Sequence, residues 1–531
     1  MVNNFLEDSI IRIATANGTQ TCVSLPEICA VLMRDEIDTF PALRPHQRHA
    51  WHAFLVQLSA MAIHRAGLYE PPDDVEDWRR ILRGLTPDFP DDEPWHLVVE
   101  DITKPAFMQP PASSVDRQKD YKSKNRVETP DKLDMLVTSK NHDLKSDVGA
   151  LAKVDDWLFA LISLQTLSGQ SGRGNYYISR IRSAYSGRPA FSLTSSTRPG
   201  RHFLRDISIL LKNRDLLLEE YQMASDGISL VWVVSWDGKV VEALPFNALD
   251  PYYIEICRRI RLRFAETGQL YADRANSNAP RINAKMLNGQ TGDPWTPINM
   301  KEGKALNVGP GGFTYKRVSE YLTSPDWHWP RLLRPTLDEQ HANEPMKLVA
   351  RSLACNTRKQ GMTEGYHERI IPFREKVIRA FGLPLGRQEV GDIARERIEQ
   401  IGIVQNTLRR AIATFAAHGN SDFKTHRSGN PSPNDLARPW VAQLDAIVDD
   451  SFFADLQIEF EVDSNDERQH TRNKWLRDFV IAEASTVLRS AQNSLPCPAI
   501  HRYRAFAAAT VFFERQIFKE LSFLFDKTED G

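Results

Sequence analysis

The sequence predicts an α+β protein: a large mixed N-terminal domain, residues 1–385, followed by a C-terminal four-helix bundle, residues 386–531. Three observations predict it. The chain has 531 residues, more than one hydrophobic core usually serves. Before about residue 385 the readable elements are short strands, turns and helices in mixture. From about Val390 the texture changes to long helical runs, drawn as Val390–Ala417, Asp435–Asp455, Asp466–Ser490 and Ala499–Phe525. Four helices with short or polar links and nothing strand-like between them make a bundle.

Composition narrows the function classes. Hydrophobic residues make up 41% and charged residues 26%, ordinary for a soluble globular protein. Lys and Arg number 67 against 69 Asp and Glu, a net charge of −2. A nucleic-acid role must therefore rest on local patches, or on partners that supply the rest of the positive field. No apolar run reaches the roughly 18 residues a membrane span needs. The start MVNNFLEDSI lacks the basic and apolar regions of a signal peptide. Five scattered cysteines (Cys22, Cys29, Cys257, Cys355, Cys497) with no CxxC pair argue against a disulfide framework and a cysteine zinc site. Together these features predict a cytoplasmic protein.

Taken in order, Ser9 to Met33 reads as a strand, an Asn17-Gly18 turn and a second strand leading into a short helix. The next helix carries apolar Trp51, Leu55, Leu58 and Ala62. His46, His49 and His52 lie three apart on roughly one of its faces. With no carboxylate or cysteine beside them, they read as neutral imidazoles flanking a core helix rather than as metal ligands. Asp88 to Pro94 is an acidic, proline-rich turn, with a short element around Trp95 to Val99; KPAFMQPPASS reads as extended. Arg117 to Arg126 (RQKDYKSKNR) reads as a mobile surface loop, either solvated or in contact with phosphate.

The stretch Leu133 to Phe191 organises the rest. A polar, basic loop (Thr138 to Ser146) leads into an apolar helix, about Val148 to Leu167. A glycine-rich loop (Ser168 to Asn175) follows, ahead of Arg180, Arg182 and Arg188. Gly169 and Gly174 have the spacing of a P-loop, but Asn175-Tyr176 stands where Lys-Ser/Thr is required, and the loop follows a helix instead of a strand. A nucleotide cradle is set aside. Glycine permits positive φ and close backbone approach, which leaves a flexible turn and a nucleic-acid contact both open.

Downstream, Ile228 to Val241 reads as a β-hairpin turning at Asp237-Gly238. Tyr252 to Phe264 reads as an amphipathic helix with Arg258, Arg259, Arg261 and Arg263 on a solvated face. Pro280 to Pro297 reads as two extended segments around Asn288-Gly289, with Arg281 and Lys285 projecting. Gly309 to Thr314 is a tight loop, Tyr315 to Leu322 a short helix, and a further helix is expected near Met346 to Leu353. The loop CNTRKQGMTEGYHERI then puts Arg358, Lys359 and Gln360 directly before Gly361, where three long polar side chains can point outward from a sharp tip.

No catalytic set emerges. The pairs Asp73-Asp74, Asp91-Asp92, Asp155-Asp156 and Asp449-Asp450 are adjacent, and neighbouring residues on a helix project differently. HExxH, GxSxG, HxE…CxxC and kinase-like patterns are absent from the sequence. The expectation is no catalytic residue, no metal and no cofactor.

On these residues the sequence resembles the CasA family, the large subunit of the type I-E CRISPR Cascade complex. The resemblance covers nearly the whole chain as an order of elements. These are the strand–NG turn–strand at Ile10 to Ser24, the tripeptide Phe107-Met108-Gln109, and the loop–helix–glycine loop with Gly187-Arg188-Pro189 after it. DPWTP, the NTRKQG loop and the terminal bundle complete the set. The resemblance implies a subunit that reads the protospacer-adjacent motif in duplex DNA from the minor groove and wedges the strands apart so that guide RNA can invade. By position, the first loop gives Lys140, Asn141 and His142, with Asn141 on a base edge. The glycine loop gives Gly169, Gly172, Arg173, Gly174 and Asn175; the lysine of the family gives Arg281 or Lys285; the wedge gives Arg358, Lys359, Gln360 and Gly361. Implied partners are other Cascade subunits, CRISPR guide RNA, target double-stranded DNA with its displaced strand, and a recruited helicase–nuclease. The glycine loop departs from an all-glycine version by carrying Gln170, Ser171 and Arg173, and Arg173 suits a narrowed minor groove. A self-standing nucleic-acid enzyme with an unrecognised site and a pure assembly scaffold are the competing readings.

Overall fold

The computed structural model of the protein describes residues 3–133, 152–342, 344–356, 362–420 and 432–525. They form two compact units. The first comprises Met1–Phe313, Pro325–Thr336 and Glu344–Ile371; the second comprises Thr314–Ser324, Leu337–Asn343 and Pro372–Gly531. The bundle unit thus starts at Pro372, ahead of the division expected at residue 386, and takes in two short upstream segments.

The N-terminal reading holds in detail. Ile11–Thr15 and Gln20–Val23 pair antiparallel, with Gly18 at φ +83° and the Asn17 side chain accepting from Thr19 N at 3.0 Å. Ile37–Thr39 adds to the opposite edge. Ser24 and Glu27 form a capping box on the helix Leu25–Met33. The helix Arg48–Arg65 is buried on every side from Ala53 to Ile63, as a helix apolar all round must be. The helix Val154–Leu167 is a second buried rod, covered from Trp157 onward. Its Asp155 is buried and held by Arg12, whose guanidinium donates at 2.6 and 2.7 Å.

Five segments differ from expectation. KPAFMQPPASS is not extended throughout: Ala106 and Gln109 exchange backbone hydrogen bonds across a turn in which Met108 has φ +57°. Ile228–Leu230 pairs parallel with Leu249–Ile254, so the apolar run after it does not fold back as a hairpin. Instead Val231, Trp232 and Trp236 are buried, and Asp237 is tied to Ser113 N at 3.0 Å and to Arg117 at 3.2 Å. Tyr252 to Phe264 is two strands, Leu249–Ile254 and Arg259–Phe264, not a helix. Three of its arginines are core residues: Arg258, Arg259 and Arg261 are buried and donate to backbone carbonyls, Arg259 also to Asp120. The expected surface loop Arg117 to Arg126 is a 3-10 turn and a strand, Lys122–Val127, at the edge of the sheet ordered Lys122–Val127, Leu270–Ala275, Arg259–Phe264. Met346–Asn356 is a strand instead of a helix, because it pairs with Ala190–Thr194 in the register Lys347↔Thr194 to Arg351↔Ala190.

The second unit contains the long helices Pro384–Ala416, Pro433–Glu461, Asn465–Trp475 and Ala499–Glu520. Asn465–Trp475 continues through a wide turn at Leu476–Ile481 into Ala482–Ser494. Buried residues recur every three or four positions: Ile401, Val404, Leu408 and Ile412; Leu444, Val448, Phe452 and Leu456; Ala505, Ala509, Phe513 and Ile517. An ion pair is fully buried there, Arg397 to Glu459 at 2.7 Å, with the guanidinium over the Trp475 ring.

Candidate nucleic-acid interface

The glycine loop is a finger with a fixed base and an open tip. It leaves the helix Val154–Leu167 at Ser168, which is buried, and returns at Ile178, whose N–H donates to Ser168 O at 3.1 Å. Between these, Ser171 N donates to Asn175 O at 3.1 Å, closing a small hairpin. Gly172 and Gly174 take φ of +73° and +83°, a region open to glycine and costly for other residues. Their surroundings differ. A Cβ at Gly174 would lie 2.7 Å from Asn276 Cβ, whereas a Cβ at Gly172 would meet nothing within 4 Å. Gly169 is pinned like Gly174, its Cβ position 2.9 Å from Ala184 O.

One side chain holds both arms of the finger. Arg258 donates from Nη2 to Gly169 O at 2.6 Å and from Nη1 to Tyr176 O. Arg258 is itself set by a buried glutamine. Gln165 Oε1 accepts from the N–H groups of Cys257 and Arg258, each at 2.8 Å, and its Nε2 donates to Arg258 O and Met108 O, each at 2.9 Å. Just past the strand Leu270–Ala275, Ser277 N donates to Gly174 O at 2.9 Å, and Tyr176 Oη donates to Asn278 O at 2.8 Å. After the loop, Ser179 N donates to Glu255 Oε2 at 2.7 Å and Arg180 Nη2 to Tyr253 O at 2.8 Å. What remains outside is Ser171, Gly172 and Arg173, all exposed.

The structure sorts the sequence-chosen residues. Arg173 is exposed at the tip, with Gly172 beside it; Asn175 is half-buried in the base. Lys285 is exposed in a 3-10 turn that leads to Asn288-Gly289, and that turn packs against the backbone of Ile181 and Arg182 just beyond the finger. Arg281 does not project. It is buried, donating to Glu242 O at 2.9 Å and Val234 O at 3.0 Å with its guanidinium over Trp236, and desolvation lowers its pKa to about 10. Arg180 and Arg188 are also buried, and Arg182 is half-buried, 3.8 Å from Glu302. Lys140, Asn141 and His142, and likewise Arg358, Lys359, Gln360 and Gly361, lie outside the described residues. The latter four fall between Met346–Asn356 and Met362–Phe373, neighbouring strands of one sheet.

The family-bearing motifs away from the loops are braces. Gln109 of the FMQ tripeptide is buried, donating to Leu97 O at 2.7 Å and accepting from Leu262 N at 2.7 Å. Gly187-Arg188-Pro189 and the DPWTP segment clasp each other: Arg188 Nε to Asp293 Oδ2 at 2.6 Å, Thr296 Oγ1 to Pro189 O at 2.8 Å, Phe191 N to Trp295 O at 2.9 Å. Sequence reasoning missed Gln165 and Arg258 as the residues that shape the finger. The alternation of apolar and basic residues in Arg259–Phe264 was the signal that this stretch is a strand with buried arginines.

Residues 4–480 match the family described as CRISPR-associated protein Cse1. No curated protein sequence matches the chain. CasA of Thermus thermophilus is similar in fold, with 14% identity and a TM-score of 0.65 over 98% of this chain and 100% of that one. Thermobifida fusca Cse1 has 13% identity and a TM-score of 0.65, covering 98% of each chain. A chain of a structure titled CRISPR RNA-guided surveillance complex has 12% identity and a TM-score of 0.57 over 97% of this chain and 99% of its own. At these identities the likeness speaks for the fold.

Proposed function

The chain belongs to the CRISPR-associated Cse1 family, and from that premise we propose that it is the large, non-catalytic subunit of an RNA-guided surveillance complex of the type I-E Cascade kind. In this role it reads the protospacer-adjacent motif in duplex DNA from the minor groove and starts strand separation. One observation carries the reading: the finger whose base is tethered by Arg258 while Ser171, Gly172 and Arg173 stay exposed. A pre-formed, glycine-containing tip brings backbone and one guanidinium close to a groove without ordering cost at the moment of contact. The minor groove offers mainly an A·T against G·C distinction, so few contacts suffice for a short, tolerant motif. Lys285 is the exposed lysine of the pair considered and takes the supporting phosphate or groove contact in this proposal. Asn141 acts on a base edge and Gln360 at the tip of the wedge, with a few kcal/mol of lost stacking offset by protein contacts. Once the duplex opens, guide RNA pairing reads the sequence, with the other subunits holding the guide and a helicase–nuclease recruited afterwards.

The test is binding of the guide–protein complex, with and without this subunit, to duplexes randomised beside the target, at fixed salt because phosphate contacts are salt-dependent. Enrichment of a short motif only when the subunit is present, fading in Asn141→Ala and Arg173→Ala, supports the reading. Equal enrichment without the subunit overturns it in favour of a scaffold. A combined Gln360→Ala and Asn141→Ala variant should assemble normally yet fail to open the duplex.

A further inference from the structure

A second cluster of chemistry-bearing side chains lies in the first unit, on elements that do not form the finger. His202 and Asp206 are four residues apart on the helix Pro199–Tyr221, hence on one face and one turn apart. His52 meets them from the helix Arg48–Arg65. Asp206 Oδ2 is 2.8 Å from His52 Nε2 and 3.4 Å from His202 Nε2, and the three donor atoms lie within 4.8 Å of one another. The two imidazole rings are 4.2 Å apart, tilted by 31°. Separations near 3 Å are the edges expected between ligand atoms bonded at about 2.0–2.1 Å to one central ion.

The surroundings suit such an ion on one side only. Asp206 and His202 are buried. His52 lies at the wall of a cavity of about 330 Å³, also lined by Trp51, Phe203, Arg351 and Glu368. A position facing that cavity is left for water or a small ligand. Ser192 Oγ is 3.0 Å from His202 Nε2, and Arg205 Nη1 is 3.5 Å from the other carboxylate oxygen, Asp206 Oδ1, which leaves Oδ2 to the histidines.

We propose that His52, His202 and Asp206 bind a single divalent first-row transition ion, zinc being the probe, with the remaining coordination position open to the cavity. Two imidazoles and one carboxylate are the donor set of open zinc and iron sites. An ion there ties the helix Arg48–Arg65 to the helix Pro199–Tyr221, so its effect is on the stability of the first unit. The competing arrangement is a metal-free hydrogen-bonded triad whose carboxylate is offset by Arg205.

The test is equilibrium dialysis of the purified full chain against zinc sulfate, with metal counted per chain and the melting temperature followed. One zinc per chain with a raised melting temperature is expected. Zinc affinity should fall at least about 100-fold in His52→Gln, more than the loss of an outer-sphere partner costs. Because His52 is only half-buried, this variant is expected to fold, as circular dichroism can check. On the wild-type chain, zinc should protect His52 from carbethoxylation read by mass spectrometry, which decides the matter if the variant does not fold. Absence of stoichiometric zinc, wild-type uptake by folded His52→Gln, or unprotected His52 overturns the proposal.

Discussion

The tripeptide Ser-Gly-Arg occurs at residues 171–173 and again at 186–188, and the two could hardly be used more differently. At the first, the glycine has a positive φ and free space around it, and the arginine is exposed. At the second, a side chain on the glycine would collide with Leu353 O, and the arginine is buried on Asp293 at 2.6 Å. The residues are the same; the neighbours decide. Arg188 has a buried carboxylate and the DPWTP segment opposite it, so its charge is consumed inside the fold. Arg173 has solvent opposite it, so its charge is available to a polyanion.

This contrast can be broken from either end. The largest effect is expected at the clasp: Arg188→Ala leaves Asp293 as an uncompensated buried charge and should cost about 3–5 kcal/mol in urea unfolding. The same pair predicts an acid limit. Burial alone pushes the Asp293 carboxyl up, but Arg188 and Arg180 hold it well below the ordinary carboxylate range. The clasp's stabilisation is therefore present above the unfolded value, about 3.9, and lost as pH falls through the folded value. Unfolding free energies measured from pH 5 downward should decline once the pH falls below about 4, less steeply in Asp293→Asn. At the base of the finger, Arg258→Ala leaves the carbonyls of Gly169 and Tyr176 without their donor. It should cost about 1–3 kcal/mol and weaken motif enrichment while the complex still assembles. The smallest effect on stability is expected at the tip, where Arg173→Ala should stay within about 0.5 kcal/mol. That same variant should lower duplex affinity and reduce the salt slope by about 1. A large loss of stability in Arg173→Ala, or none in Arg188→Ala, would erase the distinction.

The readable and unreadable parts of this chain separate along physical lines. The N-terminal hairpin was legible because Asn17-Gly18 is a local signal that acts on its own neighbours. The long C-terminal helices were legible from their three-to-four periodicity. Arg259–Phe264 and Met346–Asn356 were misread as helices because their partners, Leu270–Ala275 and Ala190–Thr194, lie elsewhere in the chain and supply pairing that local composition does not reveal. Likewise Arg281 looked like a projecting cation until Trp236 and two carbonyls were found around it. The finger itself was found from its glycines. The residue that shapes it was not, since Arg258 acts through two carbonyls far from it in sequence, and no pattern within either stretch records that.

The double tether by Arg258 has a consequence for variation. Because Gly169 and Tyr176 are held from beneath, and Gly172 supplies the positive φ at the tip, exposed Ser171 and Arg173 on either side of it are replaceable: changing them alters what the tip meets, with little feedback to the fold. In the proposed role, selection on expression or heat resistance would then pass over new motif preferences unseen, and a library restricted to Ser171 and Arg173 would explore recognition with few folding failures. Diversity among natural variants should concentrate there, over an unchanging arginine below.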